Sequence, residues 1–212
     1  MRTPWLFLAF AAAACAAGDF RPLFNGRDLA GWTVSDAGGK PGFAVAGGAI
    51  RTQAGRGFLW YTREKLGNGT LRVVYRMSDP HGNSGMFIRI PEPPPNEDYA
   101  IHRGIEVQID NNDDDWHATG VLYSMTKALA RPYRPAGDWN TMDIAMEGLR
   151  TVVKLNGVLV TDYDGTSPVP PRKHPWEPER GPRPAAGYIG IQHHDDRAIF
   201  EFREISFQPL RP

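Results

Sequence analysis

Apolar side chains that recur at every second position, in short runs broken by Gly, Pro, Asn and Asp, restrict this chain to a β architecture. From Thr70 to Met77, the residues Leu71, Val73, Tyr75 and Met77 share one face, as in a strand with one buried side. Met142, Ile144 and Met146 repeat the pattern between Trp139 and Glu147. The sharpest local signal runs from Thr151 to Thr161, where Asn156-Gly157 separates two β-branched runs. A type I′ turn needs positive φ at both central residues, which Asn and Gly tolerate, and its twist suits the flanking strands. Near the C-terminus Phe200 and Phe202 keep one phase while Ile205 and Phe207 keep the other, as a β-bulge would require. Such runs predict roughly ten or eleven short strands and no amphipathic helix, the pattern of an all-β sandwich or barrel. No repeat of propeller length is present.

The 212 residues suit one domain with a substantial core. Lys and Arg (24) balance Asp and Glu (24), and no basic run interrupts that balance, so nucleic acid is excluded as a partner. Residues 1–17 have the form of an export leader: Arg2, an apolar run from Trp5 to Ala14, then small side chains. The run is about ten residues, half of the ~20 that a membrane-spanning helix needs. The expected location is therefore periplasmic, on the outer membrane as a lipoprotein, or secreted. Cys15, the only cysteine, is either discarded with the leader or becomes the lipidated first residue of a lipoprotein. Residues 18–212 then form a single β-sandwich domain without a disulfide, stabilised by its core.

Candidate chemistry lies on a few strands. In Ile105 to Asp110, strand alternation puts Glu106, Gln108 and Asp110 on one face and Ile105, Val107 and Ile109 on the other. Two carboxylates on one face could serve a sugar as acid and base, with Gln108 between them as a hydroxyl partner. An ordinary solvent-facing strand fits the same pattern. Gly82-Asn83-Ser84-Gly85 reads as a tight turn entering a strand, with Arg89 on the Gly85/Phe87 face as a planar donor to sugar oxygens or an ion-pair partner for Glu106. His193 and His194 must point to opposite sides of a strand, so they cannot ligate one metal together from regular geometry, and one of them can act as an acid or base near neutral pH. The acidic run Asp110 to Asp115 lacks the bend glycine and closing glutamate of a calcium loop and reads as a solvated turn, with calcium left as the open alternative. No metal or other cofactor is expected. Two segments break the strand pattern: Pro91–Asp98, and the Pro-, Arg- and Gly-rich stretch from Asp164 to Ala186, which contains His174 and Trp176. Segments of that length often border a binding site.

Several of these pieces together resemble the 3-keto-disaccharide hydrolase family. Phe20–Trp32 is similar to its opening signature, and GNSGMFIR (Gly82–Arg89), EVQID (Glu106–Asp110) and TGVLYSM (Thr119–Met125) follow in the family's order. PAGDWN (Pro135–Asn140), LNGVLV (Leu155–Val160) and GYIGIQHH (Gly187–His194) complete the series. The resemblance implies a concanavalin A-like jelly-roll β-sandwich of two antiparallel sheets, with little or no helix outside the leader. It also implies an exported hydrolase that cleaves the glycosidic bond of small 3-keto-disaccharides or 3-keto-glycosides.

A ketone at C3 acidifies the proton at C2, so a base can remove it and expel the anomeric group, after which water can add. Glu106 or His194 is nominated as base and Asp110 or the remaining partner as acid. Substrate contacts are nominated at Arg89, Gln108, Asn83, Tyr123 and Trp176. Two other readings stay open. A laminarinase-like glycosidase would carry Glu-x-Asp-x-(x)-Glu on this strand, but here Gln108 replaces the middle acid and Asp110 the last. A non-catalytic carbohydrate-binding module would instead present exposed aromatics such as Trp116 and Trp176.

Overall fold

A computed structural model describes residues 19–35, 42–53, 56–194 and 198–210, so the inferred leader and Cys15 lie outside the described residues. The first strands are β1 (Arg21–Pro22), β2 (Trp32–Ser35), β3 (Phe43–Ala46), β4 (Ala49–Thr52), β5 (Gly57–Tyr61), β6 (Gly69–Met77) and β7 (Asn83–Ile90). A helix, α1 (Glu97–Arg103), precedes β8 (Ile105–Asp110). Then come β9 (Asn140–Glu147), β10 (Arg150–Leu155), β11 (Val158–Tyr163), β12 (Tyr188–His193) and β13 (Phe200–Pro209). The excess over the predicted count comes from strands of two to four residues, too short to show alternation.

Two antiparallel sheets pack face to face. One runs β11-β10-β9-β6-β13-β4-β3, with β1 also paired to β13, and the other runs β2-β5-β12-β7-β8. Between them lie the alternating apolar residues: Leu71, Val73 and Tyr75 of β6 and Met142, Ile144 and Met146 of β9 meet Met86, Val107, Ile109 and Ile191 of the smaller sheet. Each such side chain contributes about 1.5–3 kcal/mol on burial. The predicted hairpin joins β10 to β11, with Asn156 at φ 50° and Gly157 at φ 83°. The predicted phase change in β13 is a register shift between Phe202 and Glu204.

The helix starts at the end of the Pro-rich segment and runs on beyond it. Asn96 caps it by accepting from Tyr99 N at 2.9 Å, while Glu97 and Asp98 open its first turn and His102 and Arg103 close it, in agreement with the helix dipole. It packs on the outward face of the smaller sheet, where Phe58, Phe87, Ile90 and Ala100 form a second apolar cluster. One end of that face is thus covered and the other left open.

Candidate active site

Antiparallel register sets Gln192, Gly85 and Gln108 in one cross-strand row of the open end, with Gly190, Phe87 and Glu106 in the next. Glu106 leans over Gly85, where an added Cβ would stand 2.2 Å from Glu106 Oε1, so only glycine fits beneath the carboxylate. With its amide nitrogen turned to the acceptors beside it, Gln108 donates to Glu106 Oε1 at 3.0 Å and to Ser84 O at 3.1 Å. Glu106 is only 7% exposed. That burial, reinforced by the negative charge of Glu97, pushes its pKa up to about 8. The carboxyl therefore keeps its proton at neutral pH while remaining close to ionisation.

By backbone pairing β8 is an edge strand, and the segment Thr119–Tyr123 runs along it. Gln108 N donates to Val121 O at 3.0 Å, Gly120 N to Gln108 O at 2.8 Å and Tyr123 N to Glu106 O at 3.0 Å. These bonds satisfy the edge and bring the half-buried Tyr123 beside Glu106. Burial, then the Glu106 charge, pushes the Tyr123 hydroxyl up to about 12, so it stays a neutral donor. Its neighbour Ser124 holds a left-handed backbone, φ 53°, unusual for a residue with a side chain. Arg180 Nη2 clamps it, donating to Ser124 O at 3.3 Å, to Ser124 Oγ at 3.2 Å and to the buried Glu177 Oε2 at 2.8 Å. That brace lies in the long segment from Asp164 to Ala186, which Arg183 also ties to the end of α1 through Gly104 O at 2.9 Å and His102 O at 2.9 Å. The segment carries Trp176 to the lip of the open face, its ring stacked on His174 at 4.4 Å and 60% of the residue exposed.

The result is a hollow of about 380 Å³, large enough for a sugar ring. A family model described as the 3-keto-alpha-glucoside-1,2-lyase-like domain matches residues 19–208. The chain belongs to this family. Among solved structures, a Parabacteroides distasonis protein provisionally named a glycosyl hydrolase is 24% identical, with 91% of this chain and 100% of that one covered and a TM-score of 0.72. The carbohydrate-binding module CBM66 of Bacillus subtilis is 14% identical over 84% of this chain and 95% of that one, with a TM-score of 0.57. A Bacillus subtilis protein of unknown function with a galectin-like fold is 11% identical over 93% of this chain and 98% of that one, with a TM-score of 0.58. These likenesses carry the fold, a two-sheet sandwich of the galectin and concanavalin kind. No curated protein matches the chain.

In this member of the lyase-like family, six of the eight side chains nominated from sequence line the hollow: Glu106, Gln108, Asn83, Tyr123, Trp176 and His194. The two histidines part as alternation requires. His193 is buried with its ring edge-on to Phe43, and His194 faces the hollow.

Arg89 and Asp110 do not join them. Ile88 and Arg89 together oppose Ile189, a bulge that gives Arg89 a φ of 57° and reverses its side. Its guanidinium lies between the sheets, donating to Pro184 O and Ala185 O at 2.9 Å and to Arg150 O at 3.0 Å, and is neither a sugar contact nor a partner of Glu106. Asp110 shares the outward face but closes the following turn, accepting from Asn112 N at 2.8 Å and Asn83 Nδ2 at 3.4 Å. Beyond it the acidic run is a turn held by its own groups. Asp114 Oδ1 accepts from Trp116 N at 2.8 Å and lies 2.8 Å from His117 Nδ1, and Asp115 pairs with Arg131 at 2.9 Å.

Sequence reasoning missed Arg56, Ile101 and Gln192 of the lining. Gln192 had a signal, since it stands two residues before His194 and so shares its face. Arg56 and Ile101 reach the hollow from a strand entry and a helix, where alternation says nothing.

Proposed function

We propose that this protein cleaves 3-keto-glycosides by elimination, with Glu106 as the base and His194 as the acid. Glu106 takes the proton from C2 of the keto sugar. The electrons of that C–H bond form the C1=C2 double bond as the C1–O bond breaks, with negative charge passing through the C3 oxygen on the way. His194 supplies a proton to the departing oxygen. The products are an unsaturated keto sugar and the freed alcohol, and addition of water across the double bond would complete a net hydrolysis. No electrons are gained or lost overall.

Gln108, bonded to Glu106 Oε1, orients the base. Asn83, Arg56 and the Tyr123 hydroxyl offer donors around the hollow for the charged ketone oxygen. The observation that carries the reading is the Glu106 carboxyl, desolvated at the floor of a sugar-sized hollow and raised close to operating pH, where a general base is most effective. The lyase-like family description supports elimination over direct displacement.

Incubation with a 3-keto-glucoside beside its unoxidised parent tests it. The oxidised sugar alone should release alcohol, with kcat/KM rising through a limb near pH 8 as Glu106 ionises. Glu106→Gln should lower kcat by about 10²–10⁴. Equal cleavage of the unoxidised glycoside, or an unaffected Glu106→Gln, overturns the proposal. The exposed Trp176 favours one competitor, a binding module, which would retain the sugar and release nothing.

A further inference from the structure

The row of polar residues across the smaller sheet extends past Glu106. Gln192 and Gln108 flank Gly85 on either side in the register of β12, β7 and β8, and the Glu106 carboxylate lies over Gly85. Neighbouring strands stand about 4.8 Å apart, so the carboxylate has one amide on each hand. Gln108 serves it directly. Gln192 instead turns its Nε2 to Glu97 Oε1, at 2.8 Å. Glu97 is the first residue of α1, its side chain only 21% exposed, and Arg56 Nη2 approaches it no closer than 3.9 Å. Two carboxylates thus stand one amide apart over the same floor.

We propose that Glu97 is a positioning residue for Glu106, a second carboxylate that fixes the Gln192 amide beside Gly85 and sets a negative charge next to the base. This rests on the reading of Glu106 as the base. The charge of Glu97 is the second cause, after burial, of the high proton affinity of Glu106. Burial acts the same way on Glu97, opposed by the Gln192 bond and by Arg56. The other charged or titratable groups facing Glu106 are Arg56 before β5, His194 after β12 and Tyr123 on the edge segment. The guanidinium among them pairs with Glu97.

Glu97→Gln separates charge from shape, because its amide oxygen still accepts from Gln192. In kcat/KM against pH on a 3-keto-glucoside, the limb should move to lower pH and the rate at about pH 6 should rise two-fold or more, while the maximum rate does not fall. Glu97→Ala, which also loses the Gln192 contact, should lower that maximum. A Glu97→Gln profile that superimposes on wild type, or falls equally at every pH, overturns the proposal. Failure of the underlying reading looks different: the wild-type limb would be absent, or would survive Glu106→Gln. An NMR titration of the Glu106 carboxyl carbon in wild type and Glu97→Gln reads the same shift without substrate, and coincident curves again overturn the proposal.

Discussion

The two outer faces of the sandwich handle charge in opposite ways. On the larger sheet Arg72 meets Asp143 at 2.7 Å, Arg150 meets Asp162 at 2.6 Å and Arg76 meets Glu201, each a partly solvated pair across neighbouring strands. On the smaller sheet the same alternation turns Glu106, Gln108 and Gln192 outward. There α1, the edge segment through Tyr123 and the 164–186 segment withdraw the water, and the Glu106 carboxylate meets the Gln108 amide instead of a guanidinium. Alternation decides which side chains point out of a sheet; cover decides what becomes of them. One face ends with acids paired to guanidiniums across strands, the other with an acid held near its point of ionisation.

The comparison breaks most readily at Gly85. Glu106 occupies the space that a side chain there would need, an added Cβ standing 2.2 Å from its Oε1, so Gly85→Ala must push the carboxylate aside. A displacement near 1 Å of a reacting group costs about 10²-fold in rate. We expect Gly85→Ala to lower kcat on a 3-keto-glucoside by about that factor and to destabilise the domain by about 1–3 kcal/mol from overpacking. Unfolding in urea beside steady-state kinetics measures both. Unchanged kcat would show that the placement of Glu106 over Gly85 does not matter to the reaction.

Stability against pH sharpens the contrast next. The Glu106 pKa is about 8 folded against the ordinary 4.5 of an unfolded chain, so below 4.5 both states hold the proton and stability is unaffected. Between those values the unfolded chain releases a proton that the folded protein keeps. Stability should therefore fall as pH rises through this window, by at most about 1.4 kcal/mol per unit from this group, and level off above it. Glu106→Gln should match wild type near pH 5 and exceed it in Tm near pH 8, while losing activity. Parallel curves at all pH values would mean that Glu106 ionises freely and that its cover is open to water.

How much of this was legible in the sequence follows from the same contrast. Strands with one wet face announce themselves: β6, β9 and the hairpin at Asn156-Gly157 were read directly, and the bulge in β13 showed as a change of apolar phase. In β7 both faces are buried, and Met86, Phe87, Ile88 and Ile90 leave no alternation from which a bulge could be read, so Arg89 was placed on the wrong side. In β8 the grouping of Glu106 with Gln108 was visible, but its burial was not, because the cover comes from segments remote in sequence. Glu97 and Arg56 escaped for that reason. The Asn96 cap with two acids after it was a helix signal passed over among prolines.

The smallest effect expected is on the wet face, and it tests the contrast from the other side. Arg72 and Asp143 make a two-point contact, at 2.7 and 3.3 Å, with side chains 34% and 26% exposed. The Arg72 guanidinium also lies over the Phe20 ring at 4.2 Å. Water screens such a pair and two long side chains lose freedom in making it, so a double-mutant cycle with Arg72→Ala and Asp143→Ala should give a coupling of about 0.5 kcal/mol, weaker in high salt. Turnover of a 3-keto-glucoside should be unaltered in all three variants. A coupling of several kcal/mol, insensitive to salt, would mean that this face too excludes water, and the difference between the sheets could not then be what sets Glu106 apart.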